Sequence, residues 1–587
     1  MDAKKALRLR VNVVYALLVV FALAIVFHLF TIQLVEGKKW RAEAVKIATT
    51  LRTVQPDRGH IYSEDGRLLA TSVPQYDVRM DMRADGLTDE LFQGNIDSLS
   101  WSLSQLFVDR SAAEYRRDLV AARDRHERYF LVKRNVDHEQ LKVLRAFPLY
   151  RLGRSKAGLV IEKRTIRMHP FNRLASRTVG YVLKDSTVIG LEGGFDKWLK
   201  GVTGHRWERR LSGGVWMPVD DEGAQDPVPG SDIHSTIDIN LQDLADHALE
   251  AQLRKNGAHH GCVVVMETAT GHVKAISNLT LQADSSYAED LNYAVGTSTE
   301  PGSTFKTASL MVALDDGLVK ATDQWDTKGG QVRFYNRIMH DSHDGGFGVI
   351  NLHRALEVSS NTAISQAIVK AYGKQPARFV EGLRRLGLDR PLGLRIPGEA
   401  MPIIRGPEDK KMWSGVSLPW MSIGYEVSLT PMQTLAFYNG IANNGRLMQP
   451  QFVTHITRAG KEVERFEPVA LNEKMCSDAT LKEIRSMLEG VVDTGTATNL
   501  REAHFRIAGK TGTAQVAQAK AGYKANGTSY QASFVGYFPA DAPRYSCIVV
   551  VSSPSMRGYY GNIVAGPIFK EIANKIYSNR LELQTGL

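Results

Sequence analysis

Cysteine is scarce in this chain, with three in 587 residues, at positions 262, 476 and 547. An odd, widely spaced set makes neither a disulfide framework nor a zinc-ligand pattern. Cys262 and Cys547 lie inside the apolar runs GCVVVM and SCIVVVS and read as small buried hydrophobes. Internal repeats and low-complexity tracts are missing too, which excludes repeat arrays. A second long apolar run is absent, so the chain does not read as polytopic. No nucleic-acid motif accompanies the excess of basic residues, a net charge of +10 with a pI of about 9.2. That leaves an anionic membrane surface, an acidic substrate or a plain solvated basic face as the meaning of the charge.

What is present is ordinary globular composition, 43% hydrophobic and 23% charged. A single core stops growing near roughly 250–300 residues, so at least two folded units are expected. Lys4, Lys5, Arg8 and Arg10 precede an uncharged run over residues 11–35, long enough for roughly 30 Å of hydrocarbon. Ala22-Leu23-Ala24 looks like a signal-peptidase site but falls in the middle of that run. An uncleaved anchor is therefore expected, after a short tail over 1–10. Lys38, Lys39 and Arg41 follow the run, so flanking charge alone does not orient it. Nearly all the mass should lie on one side of the membrane.

Turn residues punctuate residues 55–70 (QPDRGHIYSEDGRLLA), which read as extended pieces and a hairpin. Residues 114–145 read as helix. Pro227, Pro229 and Gly230 mark a boundary between a region at 36–230 and one at 231–587. After it, a helix is expected with Asn240 as its N-cap, then two strands joined at Thr270-Gly271. Helices should fill most of 303–440. Strands return at FRIAGKTGTAQVA, ASFVGYFPA and YSCIVVVSSP, and a last helix is expected over 567–578. Strands at both ends with helices between them predict one mixed α/β domain whose sheet joins distant stretches.

Three short patterns carry chemistry. In PGSTFKTASLMVALDDGL, Ser303 falls at or near a helix N-terminus and Lys306 one turn along the same face, with Gly317 as a C-cap. A serine hydroxyl needs a base within reach, and a desolvated lysine supplies one. The free N–H groups of a helix start favour a developing oxyanion. Ser359-Ser360-Asn361 lies at a helix junction, and Lys510-Thr511-Gly512-Thr513 lies in a strand. Taken singly, these are a capped helix with a surface lysine, an N-cap, and a solvent-facing strand lysine. The cluster HDSHD at 340–344 reads as a polar loop, not a metal site, because Gly345-Gly346 follows it.

In this order, about 55 and then about 150 residues apart, S-x-x-K, S-x-N and K-T-G resemble the signature of penicillin-binding proteins and serine β-lactamases. RGHIYSEDGRLLA is similar to the R-G-x-I segment of class B penicillin-binding proteins, with Glu64 and Arg67 departing slightly from the usual pattern. RMHPFNRLASRTVGYV and GLEGGFDKWLKGVTG resemble further pedestal segments, and no glycosyltransferase block is seen. The resemblance implies a penicillin-binding, serine β-lactamase-like transpeptidase domain of α/β (α+β) class, an elongated mixed α+β pedestal of the dimerisation type, and one transmembrane helix.

It also implies a peptidoglycan D,D-transpeptidase that cuts D-Ala-D-Ala stems through an acyl-enzyme on Ser303. Lys306 would be the base, and Ser359 with Lys510 a proton relay. Asn361, Thr511, Gly512 and Thr513 would bind substrate, with the backbone N–H groups of Ser303 and Thr513 as the oxyanion hole. No cofactor and no metal are expected. Implied partners are stem peptides as donor and acceptor, β-lactams, the membrane, a polytopic glycan polymerase and other division proteins, and no nucleic acid. The implied location is the bacterial cytoplasmic membrane, N-terminus inside and catalytic domain outside. Overall size and the lack of an added C-terminal module point to septal synthesis. The competing readings are an elongation enzyme, a β-lactamase, or a non-catalytic cell-wall scaffold.

Overall fold

The computed structural model describes residues 3–40, 43, 49–182, 189–210, 216–218, 225–516, 529–555 and 558–581. Two compact units divide the chain, and each draws on separated stretches. The first comprises Met1–Asp57, Ser72–Arg167 and Gly201–Pro229. The second comprises Arg58–Thr71, Met168–Lys200 and Gly230–Leu587.

In the first unit, the apolar run forms one helix, Ala3–Phe30, which ends in a wider turn over Thr31–Val35. Residues Leu7–Val35 are long and apolar enough to cross a membrane, and none of the span is buried. A small core gathers Phe92, Ile96 and Leu103 of helix Asp89–Phe107, Tyr115 and Leu119 of helix Ala112–Asp124, and Val78 and Val132 of two paired strands. One expectation is corrected here. Residues 114–145 are not a single helix, because strand Phe130–Val136 separates Ala112–Asp124 from His138–Leu144. Lys133, Arg134 and Asn135 hide it in the sequence, and the two buried residues, Val132 and Val136, are four apart, a spacing that helix and strand share.

The second unit is built around a six-stranded antiparallel sheet. Its order is Tyr287–Ala288, Val273–Leu281, His260–Glu267, Tyr545–Ser552, Ser529–Phe538 and Ala508–Val516. Strands far apart in sequence, His260–Glu267 and Tyr545–Ser552, thus meet at the centre. The continuous apolar runs follow from burial on both faces. Val263, Val265, Val549 and Val551 pack under helices Ile239–Asn256 and Gly566–Ile576. Val264, Met266, Ile548 and Val550 pack under helices Lys306–Asp315 and Pro431–Ala442. All three cysteines are buried and free.

The expected cap at Asn240 shifts by two residues. Asp238 is the N-cap, its carboxylate accepting from the Asn240 and Leu241 N–H groups. A carboxylate at that place also faces the positive end of the helix dipole. Between residues 303 and 440 short strand pairs interrupt the helices, among them the hairpin Gln331–Phe334 with Arg337–His340.

Segments 58–71 and 168–200 sit within this unit, joined by one ionic knot. Arg58 Nε lies 2.5 Å from the Glu192 carboxylate, its Nη1 2.7 Å from Asp196, and its Nη2 donates to the Glu192 carbonyl. The Glu192 side chain is fully buried. Removing one partner of a buried pair leaves an uncompensated charge, at a cost of about 3–5 kcal/mol. Arg58→Met is therefore expected to lower the calorimetric melting temperature of this unit. An unchanged melting temperature would show that water reaches Glu192.

Candidate active site

The site begins where the chain is forced to turn. Pro301 and Gly302 (φ +56°) start a short 3-10 turn, Gly302–Phe305, which runs directly into helix Lys306–Asp315. Ser303 thus lies just ahead of the α-helix, as the motif predicted. Buried bonds fix the turn: Thr304 Oγ1 donates to the Pro301 carbonyl, and the Tyr438 hydroxyl donates to the Thr304 carbonyl, both at 2.8 Å. The Ser303 hydroxyl is half-buried, lines the cleft, and makes no hydrogen bond among the described residues.

Lys306 is completely buried. Its Nζ donates to the Ser359 carbonyl at 2.7 Å and to the Ser359 hydroxyl at 3.1 Å. Ser359 itself is held at φ +59°, a left-handed conformation that costs a non-glycine residue on the order of 1 kcal/mol. Lys510, also completely buried, donates to the same Ser359 hydroxyl at 2.9 Å and to the Thr511 carbonyl at 3.1 Å. Lys306 and Lys510, far apart in sequence, thus meet on Ser359, which lines the same cleft as Ser303.

Burial lowers the Lys306 pKa to about 7, although the Asp341 carboxylate pulls the other way. Burial also takes Lys510 well below the usual lysine value, and the neighbouring Lys306 pushes it further down. Both lysines bond to one hydroxyl, and two ammonium groups that close repel, which together with burial favours the neutral form of the pair. An unprotonated lysine keeps a lone pair, which is what a serine nucleophile requires.

Among the described residues, strand Ala508–Val516 forms the edge of the sheet, the place where a peptide can add alongside. Alternation puts Lys510 and Gly512 on one face and Thr511 and Thr513 on the other. The first face backs onto the nucleophile turn. A Cβ at Gly512 would lie 2.2 Å from Ser533 Oγ and 2.9 Å from Thr304 Cγ2, so only glycine allows this approach. Thr511 and Thr513 face a cleft of about 600 Å³ together with Ser303, Ser359 and Asn361.

Three participants escaped the sequence reading. Asp341, inside the loop read as merely polar, accepts from the Asn361 and Thr362 N–H groups at 2.6 and 2.9 Å and from the Ser360 and Thr362 hydroxyls. It holds the start of helix Asn361–Tyr372, and with it the turn that carries Ser359. The Asn361 amide donates to the His340 carbonyl at 2.6 Å, which fixes its orientation. Thr496 places its hydroxyl 2.9 Å from that of Thr511. Arg354 lines the same cleft. Gly495-Thr496, ahead of the K-T-G strand, was the one local sign of a tight turn there.

Comparison with known proteins agrees with this arrangement. A model of the penicillin-binding protein transpeptidase domain matches residues 261–574, and one of the penicillin-binding protein dimerisation domain matches residues 53–235. The chain is 25% identical over 535 residues to the peptidoglycan D,D-transpeptidase FtsI of Escherichia coli, covering 89% of this chain and 83% of that one. It is 29% identical to the penicillin-binding protein PbpB of Mycolicibacterium smegmatis, covering 70% of this chain and 65% of the relative. Penicillin-binding protein 2X of Streptococcus thermophilus superposes with a TM-score of 0.74 at 19% identity, covering 91% of this chain and 80% of that one, a likeness of fold.

Proposed function

We propose, from the premise that the chain belongs to the class B penicillin-binding proteins and is a serine-type peptidoglycan D,D-transpeptidase, that Ser303 is its nucleophile and Lys306 its general base. Ser303 Oγ attacks the carbonyl of the penultimate D-alanine and passes its proton to neutral Lys306. The oxyanion meets the N–H groups of Ser303 and Thr513, and losing one such donor lowers the rate by about 10²–10³. The C–N bond then breaks. The leaving D-alanine amine takes the proton held by Lys306 through the Ser359 hydroxyl, which Lys510 also bonds, and Lys306 is neutral again. Asn361 holds the substrate amide, and Thr511 and Thr513 hold the terminal carboxylate at the strand edge. An acceptor amine on a neighbouring stem then displaces Ser303. The C–O ester bond breaks, the C–N bond forms, and the amine proton returns to Ser303 Oγ.

The observation that carries this reading is the single hydroxyl of Ser359 bonded by both buried lysines. A β-lactam, whose strained amide imitates the D-Ala-D-Ala bond, acylates Ser303 by the same route. We further propose residues 231–587 as the catalytic domain and 36–230 as the pedestal. The apolar N-terminal helix serves as a single-pass anchor, with the N-terminus cytoplasmic and the catalytic domain on the outer side. A septal role beside a polytopic glycan polymerase is part of the same proposal and rests on the family resemblance alone. Intact-mass measurement after benzylpenicillin tests the enzymatic core. One persistent adduct, mapped by peptide digestion to Ser303, is expected. Rapid release as penicilloate would instead indicate a β-lactamase, and no adduct a non-catalytic scaffold.

A further inference from the structure

On that reading, the cleft residues given a task act on the donor. Among the described residues that line the cleft, Arg354 is a cation without one. Arg354, in the short helix Leu352–Glu357, lines the cleft, and its side chain is 41% exposed. Its Nη1 is fully committed, lying 2.6 Å from the Glu357 carboxylate, 3.2 Å from the Thr494 carbonyl and 3.1 Å from the Thr494 hydroxyl. Glu357 is itself held by the Thr494 hydroxyl at 3.0 Å and by His353 Nδ1 at 3.0 Å. Among the described residues, neither Nε nor Nη2 of Arg354 has a partner.

Those two atoms form the side-on edge of the guanidinium, whose parallel N–H groups match the two oxygens of a carboxylate. The bonds at Nη1 fix the plane of the fork and leave that edge free. No Asp or Glu lines the cleft among the described residues, so nothing there competes for the fork. The ion pair with Glu357 cancels the long-range charge. Arg354 is thus suited to contact recognition and not to steering from a distance.

Its place in the cleft indicates which half-reaction it serves. Thr494 lies two residues before Thr496, whose hydroxyl touches that of Thr511. Arg354 is thus joined through residues 494–496 to Thr511, the residue proposed to hold the leaving D-alanine's carboxylate, in one cleft. Acylation empties that carboxylate's place, and the acceptor enters it. We propose that Arg354 is the acceptor's anion anchor. It binds a carboxylate carried near the attacking amine, and so restricts transfer to amino-acid-like amines.

The test uses a D-alanyl thioester donor that acylates the full-length protein, with D-alanine and D-alaninamide as competing acceptors. Products are separated by chromatography. Wild type is expected to favour the acid acceptor. Arg354→Gln should reduce the acid-to-amide product ratio at least tenfold. Arg354→Lys should reduce it similarly, because Glu357 takes up lysine's single point charge while the fork is lost. Lysine keeps a cation beside Glu357 should the glutamine variant fold poorly. Since the readout is a ratio formed from one acyl-enzyme, a general loss of protein leaves it unchanged. Equal use of both acceptors by wild type, or an unchanged ratio in the variants, would overturn the proposal. Failure of the donor to acylate Ser303 at all would sink the catalytic reading beneath it, a separately visible result.

Discussion

Alanine at position 303 is expected to abolish covalent labelling by fluorescent penicillin and release of D-alanine from a pentapeptide alike. Removing a hydroxyl nucleophile from a concerted site lowers the rate by on the order of 10⁴–10⁶-fold. The fold should be untouched, because the Ser303 hydroxyl bonds to nothing among the described residues and is only half-buried. The Ser303→Ala chain should therefore melt at the wild-type temperature while taking up no label. Label retained at Ser359 or any other hydroxyl would mean that the nucleophile has been misplaced. A large fall in melting temperature would mean that the serine is structural.

Lys306→Met should reduce the second-order rate of β-lactam acylation by about 10²–10⁴-fold, the range contributed by a positioned general base. The pH dependence separates this role from simple packing. The reactive form of Lys306 is neutral, and burial sets its pKa at about 7. Protonation below that value removes the base, so the wild-type acylation rate should fall roughly tenfold per pH unit below 7 and level off above it. In the methionine variant that limb should vanish, leaving a low, flat profile. Asp341→Asn supplies the complementary check. Its carboxylate favours the protonated lysine, so removing it should move the limb towards lower pH. A wild-type profile flat between pH 5 and 9, recorded by stopped-flow with a chromogenic cephalosporin, would exclude Lys306 as the base.

The three motifs were legible because each is short and local, and because their types match the chemistry: a hydroxyl beside a helix start, a lysine one turn on, a glycine in a strand. The strands at 260–281 and 529–552 were legible from their apolar runs, since burial on both faces leaves no polar alternation to confuse the reading. What remained hidden was set by distance or by charge. Nothing near Arg58 announces that Glu192 will meet it 134 residues later. Strand Phe130–Val136 carries enough charge to pass for helix. Asp341 looked like one more polar loop residue, and its task depends on helix Asn361–Tyr372 presenting free N–H groups to it. Arg354 gave no sign at all, because a helix arginine is normally solvated.

The sheet order has a consequence for how this protein comes into being. Strand Ala508–Val516, which bears Lys510, reaches the body of the sheet only through Ser529–Phe538 and then Tyr545–Ser552. A ribosome delivers the chain from its N-terminus, so Ser303 and Lys306 exist for hundreds of peptide bonds before the strand beside them can be seated. The nascent polypeptide is thereby kept chemically silent. Only a finished molecule, its last strand in place, can be struck by an antibiotic or join two strands of the wall.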